Sequence, residues 1–193
     1  SIGLGETVYL TGITATSFAS ASDTFTINGT SGNEVITGPN IASTIWGNTG
    51  NDNITGGTAA DTINGDAGND SITGGGGNDT VNVDAGTDTI TDLATGDDLV
   101  VSSGATAIAN NVANFVADSG TTNAGTATLN AHSGGSTITM TNSGSGAFTL
   151  TGGAGVDNLT GGGGSDSITG GDGNDVLIGG NNSDTINGGN NND

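Results

Sequence analysis

Aliphatic and polar positions recur with a nine-residue period over most of the chain. From Gly29 to Val100 the period runs through eight units without slipping, and it returns from Gly152 to the last residue. A short fixed period predicts a solenoid in which each repeat is one small structural unit. In the first block the eighth position of every unit is aliphatic, at Ile36, Ile45, Ile54, Ile63, Ile72, Val81, Ile90 and Leu99.

The best units read Gly-Gly-x-Gly-Asn-Asp-x-aliphatic-x, as in residues 74–82. Glycine at the first, second and fourth positions permits positive φ angles, so six residues can form a tight loop. The last three residues then form a short strand whose aliphatic side chain points inward, while its two neighbours point outward. Two units complete one turn of eighteen residues. Loops eighteen residues apart should therefore stack at one strand spacing, about 4.8 Å.

Breaks in the period divide the chain into four segments. They are an N-terminal β segment or cap (1–28), a first roll (29–100), a β-rich intervening segment (101–151) and a second roll (152–193). The second roll stops at the sixth position of a unit, so we expect the chain to continue. The resulting fold class is all-β, with two solenoid blocks separated by a short β-rich stretch.

The intervening segment carries two weaker signals. Residues 136–140 and 147–150 alternate polar and apolar side chains around a Gly/Ser-rich stretch, which predicts a β-hairpin. Residues 107–116 fit either a short helix or an irregular stretch.

Charge narrows the functions that the chain can have. It contains 20 acidic residues and no Lys or Arg, which gives a formal net charge of −20. This excludes binding to nucleic acid or to anionic membranes through a basic patch. No apolar run approaches the roughly 18 residues needed to span a membrane, so membrane insertion is not expected. High net charge and low hydrophobicity favour disorder in the metal-free chain.

The carboxylates recur at the sixth position of the units, and stacking would place them in columns. Two carboxylates at one strand spacing repel by roughly 3–4 kcal/mol at an effective dielectric of 20, and a cation between them reverses the sign. Carboxylate and carbonyl oxygens select hard cations, and the flexible coordination of Ca²⁺ suits such loops better than the strict octahedron of Mg²⁺. The metal-ligating residues predicted here are Asp52, Asp61, Asp70, Asp79, Asp88, Asp97, Asp157, Asp166, Asp175, Asp184 and Asp193.

These units resemble the RTX (repeats-in-toxin) family, whose repeat is Gly-Gly-x-Gly-x-Asp-aliphatic. The resemblance implies a right-handed parallel β-roll that holds several Ca²⁺ ions between successive loops on the same side. By that pattern the sites pair Asp52–Asp70, Asp70–Asp88, Asp61–Asp79, Asp79–Asp97, Asp157–Asp175, Asp175–Asp193 and Asp166–Asp184.

Two departures from the pattern predict where binding stops. Glu34 and Ser43 stand at the sixth position of the first two units, so the first turn should bind calcium weakly or not at all. The Gly-Gly pair is replaced by Val83-Asp84 and then by Asp92-Leu93, which suggests the exit of the first roll.

Catalysis has little support in the sequence. The chain has no Cys, Lys or Arg, and His132 is its only histidine, so we expect no enzyme activity. The resemblance implies a protein secreted by a Gram-negative bacterium through type I secretion and located outside the cell. The composition resembles RTX-type S-layer proteins, which predicts self-association into a lattice or filament on the cell surface, with surface polysaccharide as an anchor.

Other classes of RTX protein stay open at this point. One alternative is an adhesin or biofilm-matrix protein in which the rolls act as spacers. The other is the RTX secretion region of a protease, lipase or toxin whose catalytic domain lies elsewhere.

Overall fold

The computed structural model describes residues 7–9 and 25–193, and all regular structure in these residues is β-strand. No helix occurs in the described ranges, and none there could therefore cross a membrane. The remaining N-terminal residues of the predicted cap lie outside the described part of the chain.

Twenty short strands follow one another along the described residues. They are β1 Thr7–Tyr9, β2 Phe25–Asn28, β3 Val35–Thr37, β4 Ser43–Trp46, β5 Asn53–Gly57, β6 Thr62–Asn64, β7 Ser71–Gly75, β8 Thr80–Val83, β9 Thr87–Ile90, β10 Asp98–Val101, β11 Thr106–Val112, β12 Asn114–Val116, β13 Thr122–Asn123, β14 Thr126–Ala131, β15 Thr137–Thr139, β16 Phe148–Thr151, β17 Asn158–Gly162, β18 Ser167–Asp172, β19 Val176–Gly180 and β20 Thr185–Asn190.

The strands form three parallel sheets. The long sheet has ten strands in the order β1-β3-β5-β7-β9-β11-β14-β16-β18-β20. Opposite it lie the N-terminal sheet, β13-β10-β8-β6-β4-β2, and the C-terminal sheet, β12-β15-β17-β19. The chain alternates between the long sheet and one of the other two, except that β12 and β13 follow each other between β11 and β14. It thereby winds into a parallel β-solenoid of about nine turns. The predicted all-β solenoid class is confirmed.

A stack of aliphatic side chains fills the space between the walls. Ile45 pairs with Ile63 in one wall, and Ile54 pairs with Ile72 in the other, each residue lying one full turn from its partner. All four side chains are buried. Burial of one such side chain contributes roughly 1.5–3 kcal/mol, so the solenoid gains stability in proportion to its number of turns. On the outermost strand of the long sheet, Ile186 is 48 % exposed.

The intervening segment continues the solenoid, and the predicted β-hairpin is wrong. β15 pairs in parallel with β12 and β17, while β16 pairs in parallel with β14 and β18. The two strands therefore lie in different sheets. Alternating side chains show only that one face of a strand is buried, and that holds equally for a hairpin and for a solenoid wall.

The helix considered for residues 107–116 is also wrong, because this stretch contains β11 and β12. Ala107 and Ala109 lie inward, opposite Asp88 and Ile90 of the preceding turn. The register shifts after Ala109, and Asn111 adopts a φ of 62° at the irregularity. Here the wall opposite the long sheet changes, since β13 ends the N-terminal sheet and β12 begins the C-terminal sheet.

Candidate metal centres

Five of the six predicted ligands in the first roll immediately precede a strand, and the sixth, Asp88, is the second residue of β9. Asp52 comes before β5, and Asp70 comes before β7. Because β5 and β7 pair in register, the two aspartates fall at the same end of neighbouring strands. The local sequence thus sets where each aspartate lies relative to its strand. The parallel register then stacks the aspartates of successive turns into a column.

Every predicted pair of aspartates is joined by one hydrogen bond. The main-chain N–H of one aspartate donates to Oδ1 of the aspartate eighteen residues later, as from Asp52 to Asp70 at 2.8 Å. The same bond occurs in all seven predicted pairs, at 2.8–3.0 Å, so each pair lies on adjacent turns. The other six run from Asp61 to Asp79, Asp70 to Asp88, Asp79 to Asp97, Asp157 to Asp175, Asp166 to Asp184 and Asp175 to Asp193.

We call the stacked aspartates of the predicted sites the ladder aspartates. In most of them the second carboxylate oxygen is buried without a hydrogen-bond donor. Asp70 is only 2 % exposed and Asp88 is 0 % exposed, yet Oδ2 of each has no partner. A buried charged oxygen without a partner costs several kcal/mol, so such atoms call for a ligand. Among the residues that the structure describes, such atoms are Oδ2 of Asp52, Asp61, Asp70, Asp88, Asp166 and Asp175, together with Oδ1 of Asp157.

Glycine at the first position leaves a small space in front of these oxygens. A Cβ added to Gly47 would lie 2.6 Å from Oδ2 of Asp52 and 2.6 Å from the carbonyl oxygen of Gly65. A carboxylate oxygen and a main-chain carbonyl oxygen from the next turn therefore face the same space. This pairing of hard oxygen donors fits a Ca²⁺ ion.

Two carboxylate oxygens from successive turns converge at the next site on this side. A Cβ added to Gly65 would lie 2.6 Å from Oδ2 of Asp70 and 2.9 Å from Oδ2 of Asp88. Without a cation between them, two negative oxygens this close repel strongly in a buried setting.

Burial shifts the acidity of the ladder. It raises the pKa of Asp61 and Asp70 to about 6, and that of Asp88 to about 7. The main-chain N–H from the preceding turn offsets part of this rise, and the carboxylate of a neighbouring turn adds to it. Burial also raises the pKa of Asp52, Asp79, Asp97 and Asp166.

The carboxylates alone do not complete a coordination shell. Among the residues that the structure describes, no group of three or more His, Cys, Asp or Glu side chains is arranged to hold an ion. Ca²⁺ takes six to eight oxygens, so two aspartates per site leave most positions to main-chain carbonyls of the stacked loops.

The first turn carries Glu34 and Ser43 in place of the aspartates. Glu34 is buried, and its carboxylate accepts hydrogen bonds from the Thr30 N–H at 3.0 Å and the Thr30 hydroxyl at 2.6 Å. Ser43 replaces the carboxylate on the other wall and donates its hydroxyl to the carbonyl of Ile41. With these groups engaged inside their own loops, weak binding at this turn stays our prediction.

Two acids near the columns were not predicted as part of the site. Asp66 adopts a φ of 64° and accepts a hydrogen bond from the Asn48 N–H through Oδ2 at 3.1 Å. Asp92 accepts the N–H groups of Gly74 and Gly75 through its two oxygens, at 2.9 and 2.7 Å. Both stand where the repeat calls for glycine. A carboxylate in place of glycine was the sequence signal for them.

The columns of the two rolls are connected along the long sheet. Asp88 lies opposite Ala107, which lies opposite Ala127, and Ala127 lies opposite Phe148. The Phe148 N–H then donates to Oδ1 of Asp166 at 2.8 Å, with the same geometry as an aspartate ladder. One continuous column therefore holds carboxylates in both rolls, with three uncharged residues between them.

Comparison with known families accounts for these columns. The model of the RTX calcium-binding nonapeptide repeat matches residues 28–58, 40–71, 55–90, 144–168 and 160–193, which together make up more than half of the chain. This chain belongs to the RTX calcium-binding nonapeptide repeat family. Comparison with curated proteins gives no match.

As an RTX repeat protein, the chain is a calcium-binding β-roll module. The stacked aspartates are typical of Ca²⁺ binding in this family, and the unpartnered oxygens and glycine spaces described above fit that ion. When bound, Ca²⁺ would supply the positive charge that the RTX columns otherwise lack. RTX repeats are also typical of secreted proteins.

Proposed function

We propose that this RTX module is a structural protein of the bacterial cell surface, made rigid by calcium and assembled into an S-layer or extracellular filament. The observation that carries the proposal is the run of buried, unpartnered carboxylate oxygens stacked on successive turns. They make the folded solenoid depend on cations, which suits a protein that folds where millimolar calcium is present. Extracellular calcium modules bind with Kd values of about 10⁻⁴–10⁻³ M.

The shape supports a structural role. Ten stacked strands at about 4.8 Å spacing give a rod of roughly 45 Å, whose length is set by the number of turns. The outward positions of the long sheet carry mainly uncharged polar side chains, such as Thr55, Thr73, Thr151 and Thr169. We propose that the segment has no catalytic activity, and that its partners are other copies of the chain and a cell-surface polysaccharide.

A calcium-stiffened spacer of an adhesin or biofilm-matrix protein is the second candidate. The same rod geometry favours it, because a solenoid extends in one dimension and keeps two attached regions a fixed distance apart. The spacer would not need to self-associate.

The purified chain tests both candidates. We expect circular dichroism to show β-structure that appears with 10 mM CaCl₂ and is lost with chelator, and electron microscopy to show ordered sheets or filaments only with calcium. A spectrum that chelator leaves unchanged would contradict calcium-dependent folding. Calcium-folded chains that stay monomeric at high concentration would exclude self-assembly and support the spacer.

A further inference from the structure

The carboxylate column of the long sheet is interrupted where the two rolls meet. Ala107, Ala127 and Phe148 take the ladder position in three successive turns, and all three are buried. Asp118 is the only acidic residue between 101 and 151, and it is exposed. No two acidic side chains are therefore stacked within the intervening segment (101–151), and its one carboxylate, Asp118, lies beside Asp98 of the first roll.

The intervening segment also holds the buried aromatic and methionine side chains of the described core, Phe115, Phe148 and Met140. Most units of the rolls bury one aliphatic residue, whereas Leu177 is only partly buried and Ile186 is exposed. Here the turns also bury aromatic and methionine side chains, which remove more apolar surface from water per turn. The large side chains that are fully buried in this segment are Phe115, Leu129, Ile138, Met140 and Leu150.

Polar groups in the intervening segment are satisfied by the protein itself. The buried hydroxyl of Ser136 donates to the carbonyl of Val112 at 2.8 Å, and that of Ser143 donates to the carbonyl of Met140 at 2.6 Å. Within the described residues, every buried side-chain oxygen without a partner belongs to a ladder aspartate of the two rolls. The rolls need a cation to complete their interior, and the intervening segment does not.

We propose that the intervening segment is a calcium-independent folding seed, from which order spreads into both rolls as calcium binds. β11 pairs with β9 of the first roll, and β16 pairs with β18 of the second, so the seed offers a strand template on each side. In a stacked array each turn is stabilised mainly by its neighbours, so preformed turns lower the cost of adding the next one. This inference rests on the proposed calcium-dependent folding of the rolls.

Hydrogen–deuterium exchange of the whole chain, resolved by peptide, tests the proposal. In metal-free buffer we expect amides of β11, β14 and β16 to exchange at least tenfold more slowly than those of β5–β8 and β18–β19. In 10 mM CaCl₂ all of these strands should be protected. Uniformly fast exchange without metal, followed by protection with calcium, would overturn the seed and leave calcium-dependent folding intact. Uniformly slow exchange without metal would overturn both the seed and the calcium-dependent folding of the rolls.

A pair of matched core truncations separates a seed from a generally more stable region. Leu129→Ala lies in the intervening segment and Ile63→Ala in the first roll, and both wild-type side chains are fully buried. In metal-free buffer, Leu129→Ala should abolish the slow exchange of β11, β14 and β16, and Ile63→Ala should leave it within about twofold of wild type. Equal effects of the two variants in metal-free buffer would refute the assignment.

Discussion

Asp70→Asn should act in opposite directions with and without calcium. Asp70 contributes to two neighbouring pairs, since its N–H donates to Asp88 and its Oδ1 accepts from Asp52. Asparagine keeps the Oδ1 acceptor and removes the charge. The substitution therefore leaves the backbone ladder in place and changes only the electrostatics and the ligand set.

The effect of Asp70→Asn on the free energy of unfolding without metal can be worked out in two ways. Two carboxylates at one strand spacing repel by roughly 3 kcal/mol at an effective dielectric of 20. The rise in the Asp70 pKa to about 6 corresponds to about 3 kcal/mol, at 1.36 kcal/mol per pKa unit. We therefore expect Asp70→Asn to stabilise the metal-free solenoid by about 2–3 kcal/mol.

The calcium effect has the opposite sign. At 10 mM CaCl₂ and a Kd of about 10⁻⁴ M, each ion contributes about 2.7 kcal/mol to the free energy of unfolding. Asp70 is shared by two sites, so the variant should lose up to about 5 kcal/mol of calcium-dependent stabilisation. The slope of unfolding free energy against the logarithm of calcium concentration should fall by about two ions.

Urea unfolding followed by circular dichroism at several calcium concentrations gives the calcium-dependent slope, and extrapolation of the unfolding free energy to zero calcium gives the metal-free effect. Asp172→Asn is the matched control, because Asp172 is exposed and lies outside the carboxylate columns, where it accepts a hydrogen bond from Asn190. Its slope should equal that of wild type. The reasoning fails if Asp70→Asn keeps the wild-type slope, or if it destabilises the protein equally with and without calcium.

Four further outcomes follow from the same geometry. Burial raises the folded-state pKa of Asp88 to about 7, so its contribution to metal-free stability is present below about pH 4 and is lost as pH rises through 7. The metal-free protein should therefore show more β-structure by circular dichroism at pH 5 than at pH 8, and the reverse order would refute this. In calcium the order should invert, since protons compete with Ca²⁺, and isothermal titration should show weaker binding at pH 5. Gly47→Ala should weaken calcium binding at least tenfold in the same titration, because its Cβ would fill the space between Asp52 Oδ2 and the Gly65 carbonyl oxygen. Gly76→Ala is the control and should bind calcium as wild type does, because no atom lies closer than 3.7 Å to its Cβ. Ile63→Ala should cost about 2–5 kcal/mol in calcium-loaded urea unfolding, and a loss below 1 kcal/mol would contradict the close packing of the stack.

The sequence by itself determined the repeating unit and the position of its chemistry. The nine-residue period placed the Ile54 side chain inward and Asp70 directly before a strand, because both positions depend on local loop and strand geometry. Counting in eighteens also gave all seven aspartate pairs, since a solenoid of constant turn length converts sequence distance directly into neighbouring turns.

Only the tertiary structure decided what happens where the period fails. Turns of the intervening segment are longer than eighteen residues, as the 20-residue separation of the hydrogen-bonded Asn110 and Asn130 shows. Alternating side chains do not encode a strand's partner, so the sequence favoured a hairpin where the structure has parallel turns. Strand pairings between distant residues also decide which carboxylate oxygens lie buried without a donor. The same pairings place Asp88 and Asp166 in one column.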